Sequence, residues 1–279
     1  MDKYYVAKIV EFIGSSPRLT TIFFNLFFRR QRIHYFCPNK LAIMGLINRL
    51  TMTLLEAIHA RHSVRHYKNQ PLSEEVAAAL QERIEEVNEK GRLHIQLIRN
   101  EPRAFQGIFA YGKFSGVTDY FVVCGRKATD LDERVGYYGE QLVLFAQQLG
   151  LNTCWVGLSY HKVPDTYVLH PGEKVACYIC VGYGTTQGAD HRRKTLQEVS
   201  NADAGTPDWF RQGVEAALLA PTAINQQKFR FDYLPAGGKG PDRVKADKGF
   251  SFVGYTKMDL GIAKLHFEIG AGKENFEWA

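Results

Sequence analysis

From residue 52 onward the apolar positions of the chain follow two periods. A spacing of three to four residues runs through Met52–Ala60, through Val76, Leu80, Ile84 and Val87 up to Asn88, through Asp130–Leu149, Phe210–Leu219 and about Met258–Ile269. Each predicts a helix. Ser73 followed by Glu74 and Glu75 suits an N-cap with acids in the first turn, and Gly150 suits a helix stop. Short alternating or wholly apolar runs at Leu93–Ile98, Val117–Cys124, Thr153–Leu158, Lys174–Tyr183 and Phe250–Gly254 predict strands. Residues 99–115 are irregular. Helices interleaved with short strands predict an α+β or α/β domain with helices flanking a sheet. No low-complexity linker interrupts residues 52–279, so they are expected to form one structural unit.

The first 51 residues break this pattern. They are rich in aromatics and hold eight Lys/Arg against two acids, which is the whole +6 of the chain. From totals of 35 basic and 29 acidic residues, 27 of each sign remain in 52–279, so a general polyanion-binding surface has no support there. The most apolar run, Leu19–Phe28, is ten residues long, about half of what a membrane span needs. Arg29-Arg30-Gln31-Arg32 stands where a signal peptide would carry small residues. A basic-aromatic interfacial anchor, or a true start at Met44 or Met52, both fit. Residues 1–51 are expected to lie outside the functional fold. The five cysteines, Cys37, Cys124, Cys154, Cys177 and Cys180, are odd in number and sit in apolar runs, which suits a reducing, cytoplasmic setting. On a strand Cys177 and Cys180 would face opposite sides, as core residues rather than a redox or zinc pair. No zinc-like Cys/His spacing, no Gly-x-Gly-x-x-Gly and no Gly-x-Ser-x-Gly occurs.

Candidate chemistry begins at Arg61-His62-Ser63-Val64-Arg65-His66-Tyr67. In an extended stretch Arg61, Ser63 and Arg65 share a face. Guanidinium forks beside a hydroxyl suit a phosphate-bearing, polyhydroxylated ligand, although a solvated basic turn would use the same residues. His191-Arg192-Arg193-Lys194 is, taken alone, a solvated loop. Pro221-Thr222-Ala223-Ile224-Asn225-Gln226-Gln227 is, taken alone, a helix stop leading into a strand, with small and amide side chains between.

Four blocks together resemble the FMN-dependent nitroreductases. Arg61–Tyr67 after a helix is similar to that family's opening. Gly139–Gly157 resembles its long central helix and following strand. Val181-Gly182-Tyr183-Gly184, with His191–Lys194 and Leu196-Gln197-Glu198-Val199, resembles its closing strand, basic segment and short helix. Ala216–Phe231 resembles its Ala-Pro-Ser-x-x-Asn-x-Gln-Pro-Trp block, with Thr222 for Ser and Lys228-Phe229 for Pro-Trp. In most members that last block comes early and completes the flavin site of another subunit. Here Glu85–Gly91 holds the early position and the block recurs near the C-terminus. This resembles the single-chain subfamily of the TM nitroreductase type, in which a C-terminal half-repeat replaces the second subunit.

The resemblance implies an α+β nitroreductase-like fold, with a central, mostly antiparallel sheet flanked by helices and a pseudo-dimer within one chain. Residues 52–200 would be the main half and 201–279 the half-repeat, so a monomer would suffice. It implies FMN as cofactor and NAD(P)H as co-substrate. Flavin contacts would come from Arg61, His62, Ser63, Arg65, Tyr111, Gly112, Val156, Gly157, Arg192, Arg193, Pro221, Thr222, Asn225 and Gln227. The flavin would carry the hydride, so no catalytic side chain and no metal is expected. The implied reaction is ping-pong reduction of nitroaromatics, quinones or similar small electrophiles, without nucleic acid or a membrane span. The competing reading is a flavin-binding, non-catalytic protein with a closed substrate face.

Overall fold

A computed structural model describes residues 52–107, 113–238 and 240–279. The N-terminal extension proposed above, Cys37, and the site candidates Tyr111 and Gly112 lie outside the described residues. Helix α1 (Leu54–Ala60) opens on a reciprocal cap: Thr53 Oγ1 accepts from the Glu56 N–H, and the Glu56 carboxylate accepts from the Thr53 N–H. Helix α2 (Glu74–Gly91) starts at Ser73, whose hydroxyl accepts from the Val76 N–H. The principal sheet has strands β1 (Gln96–Ile98), β2 (Tyr120–Arg126), β3 (Asn152–Val156) and β4 (Glu173–Gly182), in the order β1-β2-β4-β3, all antiparallel. Between β2 and β3 runs helix α3 (Leu131–Gln148).

Both faces of this sheet are covered. On one side Phe121, Val123, Cys177, Ile179 and Val181 pack with α2 and α3. On the other, Tyr120, Val122, Cys154, Tyr178 and Cys180 pack beneath Phe105, Val163 and Tyr160. Cys177 and Cys180 thus enter different cores, as the strand period requires, and the four described cysteines are free and buried. The Arg61–Tyr67 segment runs along the free edge of β3. The Val64 N–H donates to the Thr153 carbonyl, and Ser63 bridges Thr153 in parallel.

The C-terminal part adds helices α4 (Leu196–Val199), α5 (Asp208–Ala217) and α6 (Thr256–Ala271) and a second sheet, β5 (Phe229–Leu234), β6 (Arg243–Lys248) and β7 (Glu277–Trp278). Its core joins α5, α6, β5 and β6 through Phe210, Phe231, Val244 and Phe267. The strand predicted at Phe250–Gly254 is a loop instead. Its Phe-Ser-Phe-Val alternation has a strand's period but no partner edge among the described residues, and Phe252 is 97 % exposed. The strand lies just before it, in the charged run Arg243–Lys248, where Val244 is the one residue buried.

Helices α3 and α6 cross through paired glycines. A Cβ on Gly136 would overlap the Met258 carbonyl oxygen and press on the Ile262 N; a Cβ on Gly261 would overlap the Glu133 carbonyl oxygen and press on the Tyr137 N. Each partner therefore meets the other through equivalent positions, the reciprocity of a two-fold interface, here between two segments of one chain.

Candidate functional site

Where β3 ends, a cavity of about 660 Å³ opens between the principal sheet and α6, within the size range of cofactor pockets. Trp155, Val156 and Gly157 line it from the end of β3, Met258, Asp259 and Ile262 from α6, and Pro221–Ile224 from the loop after α5. Ser63, Arg65 and His66 line it from the edge segment. A smaller cavity of about 380 Å³, between α1, α2 and α3, holds none of the predicted site residues.

Of the described candidates, Ser63, Arg65, Val156, Gly157, Pro221 and Thr222 meet at the larger cavity. Others do not line it. Arg61 is buried, and its Nη1 donates to the Leu219 carbonyl at 3.1 Å. Burial pulls its guanidinium down, and the nearby charge of Glu140 works against that. The shared face predicted for Arg61, Ser63 and Arg65 is thus broken at Arg61, which anchors the end of α5. His62 packs under the following loop, where a Cβ on Gly188 would sit 2.6 Å from the His62 Cβ. Arg193 pairs with Asp190 at 2.8 Å on the surface, and Arg192 is exposed.

Asn225 and Gln227 do not line the cavity either. Both side-chain amides donate to the Arg192 carbonyl, at 2.8 and 2.9 Å, and Gln227 also donates to Asn225 Oδ1 at 2.7 Å. The Lys194 N–H donates to Gln227 Oε1 and Lys194 Nζ to the Gln227 carbonyl. Together they strap the basic segment to the loop that walls the cavity. That loop holds three non-glycine residues in the left-handed region: Ile224 (φ 47°), Asn225 (φ 56°) and Gln227 (φ 44°). For a β-branched residue such as Ile224 this is a strained conformation that the surrounding bonds must over-determine.

Four features of the site had no signal in the sequence. Trp155 turns its indole into the cavity wall and packs where Gly139 has no Cβ; its Nε1 donates to Glu140 at 2.8 Å. Glu140 and His266 are fully buried, with His266 Nε2 at 2.9 Å from the carboxylate and Nδ1 at 3.2 Å from the Ala216 carbonyl. Asp259 is a buried carboxylate at the cavity, and its oxygens accept from the Ala223 N–H at 3.0 Å and Gln226 Nε2 at 2.6 Å. Burial pushes it up to about 6 despite those two donors. Tyr255 stands over Gly157 and donates to its carbonyl at 3.0 Å; a Cβ there would strike the Tyr255 ring, so the glycine is required by the tyrosine.

The donor set fits a flavin phosphate and ring: a guanidinium with no partner among the described residues (Arg65), hydroxyls (Ser63, Thr222), an indole wall and the backbone at the end of β3 that lines the cavity. Metal chemistry has a weaker claim. Among the described residues, His94, His170 and Glu173 bring ligand atoms within 4.8 Å of one another. The two imidazoles stack at 4.7 Å and 15°, so their in-plane lone pairs run nearly parallel and do not converge on one ion.

The family model described as "Putative TM nitroreductase" matches residues 53–271. Among solved structures, the "putative nitroreductase" of Thermotoga maritima aligns with a TM-score of 0.54 at 24% identity, over 80% of this chain and 85% of that one. A Desulfovibrio desulfuricans "putative nitroreductase" in complex with FMN aligns with a TM-score of 0.44 at 18% identity, over 55% of this chain and 98% of that one. A search of curated proteins returned no match. Among the described residues, no helix is long and apolar enough to cross a membrane.

Proposed function

The chain belongs to the TM nitroreductase family, and from that premise we propose that it is an FMN-dependent oxidoreductase that takes electrons from NAD(P)H and passes them to a small electrophile such as a nitroaromatic or a quinone. One observation carries the reading. Ser63 and Arg65, the Val156–Gly157 strand end and Pro221–Thr222, more than 150 residues apart at the extremes, line one cavity of a single chain.

In this reading the bound flavin supplies hydride chemistry at its ring. The protein's part is to hold, orient and exclude water. Arg65 supplies a charge-assisted fork for the phosphate, and Ser63 and Thr222 supply hydroxyls. Trp155 gives the ring an apolar wall fixed by Glu140. The backbone of Val156–Gly157 would offer N–H donors to the negative charge of a reduced ring. Arg61, Asn225 and Gln227 act at one remove, by fixing the end of α5 and the strained 222–227 loop.

The non-catalytic alternative has one feature in its favour. Tyr255 covers Gly157, next to where a substrate would meet the ring. One experiment addresses both readings. Purified protein is examined by visible spectroscopy and then titrated anaerobically with NADH and with NADPH. A flavin spectrum bleached by a nicotinamide and restored by a quinone is expected. Colourless protein that takes up no FMN removes the flavin reading, and yellow protein that neither nicotinamide reduces selects the non-catalytic one.

A further inference from the structure

The loop joining β6 to α6, Gly249-Phe250-Ser251-Phe252-Val253-Gly254, turns its aromatic side chains outward. Phe252 is 97 % and Phe250 74 % exposed, and their rings meet edge to face at 4.9 Å. Val253 lines the cavity, as do Leu158 and Ile224, which are 75 % and 77 % exposed. Three segments distant in sequence therefore set exposed apolar groups around one opening. Single exposed apolar side chains are ordinary, whereas a group around a cavity mouth marks a contact surface.

We propose that this rim docks the protein on an anionic lipid bilayer, with Phe250 and Phe252 entering the boundary between headgroups and acyl chains and the cavity mouth facing the membrane. Shape favours a fluid apolar phase. A ring as free of its own chain as Phe252 would need a matching hollow in a protein partner, whereas acyl chains accommodate any outline. Charge favours anionic headgroups. Lys228 and Lys248 stand at the base of the loop, where the Gly249 N–H donates to the Lys228 carbonyl at 2.7 Å. Both are exposed, and neither makes an ion pair among the described residues. The nearby Asp247 is neutralised by Lys245 at 2.7 Å. Aromatic tips above basic residues are the arrangement of interfacial binding. The docking does not depend on what the cavity holds. Resting on the flavin reading above, its consequence is that acceptors dissolved in the bilayer reach the site most directly.

The test is flotation of the full chain with vesicles of phosphatidylcholine alone and of phosphatidylcholine with phosphatidylglycerol. The protein is expected to float with the anionic vesicles. Phe250→Ser with Phe252→Ser lowers the bound fraction roughly tenfold or more, and Lys228→Gln with Lys248→Gln lowers it and removes its salt dependence. A Phe252→Trp variant, compared with wild type, gains emission that shifts to the blue and is quenched by brominated lipid. Absence of flotation overturns the proposal. So does equal flotation of the serine variant, which would place the contact in residues 1–51. A wild-type dimer that the serine variant dissolves would make a second copy the occupant and overturn it as well. None of these readouts needs flavin or turnover, so colourless protein that floats removes the flavin reading and leaves this one standing.

Discussion

Arg61 and Arg65 lie four residues apart in one extended segment and meet opposite environments. Arg61 is enclosed and carries the Leu219 carbonyl beside the buried Glu140, whereas Arg65 opens to the cavity and to solvent. Their alanine variants should therefore fail differently. Arg61→Ala leaves the buried Leu219 carbonyl without its donor and removes the positive charge near Glu140, and is expected to cost about 1–3 kcal/mol in denaturant unfolding. Arg65→Ala is expected to leave unfolding unchanged and to weaken FMN in a fluorescence titration by about tenfold or more, the loss of a charge-assisted contact. Equal losses of stability in the two variants would refute this division. Asp259 makes a second case. Its carboxyl is raised from an ordinary value of 3.8 to about 6 by burial. The folded state thus holds its proton more tightly, so its contribution to stability is full below about pH 4 and is lost as pH rises through about 6. The shift corresponds to at most about 3 kcal/mol. Subtracting the pH–stability curve of Asp259→Asn from that of wild type should show this fall, and a flat difference between pH 4 and 6 would count against it.

At the scale of elements, α3 and α6 are the hinge of the architecture. Gly136 and Gly261 let the two backbones touch, and Tyr137–Glu268 and Lys264–Glu133 tie the flanks of the crossing. Alanine at either glycine must push backbone against backbone, so each variant is expected to lose about 1–3 kcal/mol or more by overpacking, read as a lowered thermal midpoint. Alanine at Gly205, where the nearest atom to a new Cβ is 3.5 Å away, is the neutral control. The helices themselves were legible in the sequence, because a 3.6-residue period with Ser73 and Gly150 at its ends has few competing readings. The Arg61–Tyr67 edge, β3 and the loop after α5 were likewise placed by their motifs. The second sheet was not. In β6 the pairing with β5 comes from backbone, and its charged side chains carry no alternation, while Phe250–Val253 alternates and has no strand partner among the described residues. Side-chain direction was also beyond a linear reading. A guanidinium, an amide or an indole that braces a loop cannot be told from one that holds a ligand until Leu219, Arg192 and Glu140 are known to stand opposite them.

For the whole molecule, the reciprocal crossing bears on how the cavity is completed. Its walls come from the main part of the chain through Ser63, Arg65 and β3, and from the C-terminal part through Pro221–Ile224 and α6. When two subunits share a site, dilution separates them and the ligand leaves. When one chain supplies both walls, the second wall is present at a fixed effective concentration set by covalent linkage. We therefore expect one FMN per chain, a monomer by sedimentation velocity in the absence of lipid, and an FMN dissociation constant that does not change as the protein is diluted from micromolar to nanomolar. Flavin that is lost on dilution with protein-concentration-dependent affinity would show that a second chain completes the site. It would also recast the α3–α6 crossing as packing that mimics an interface without replacing it.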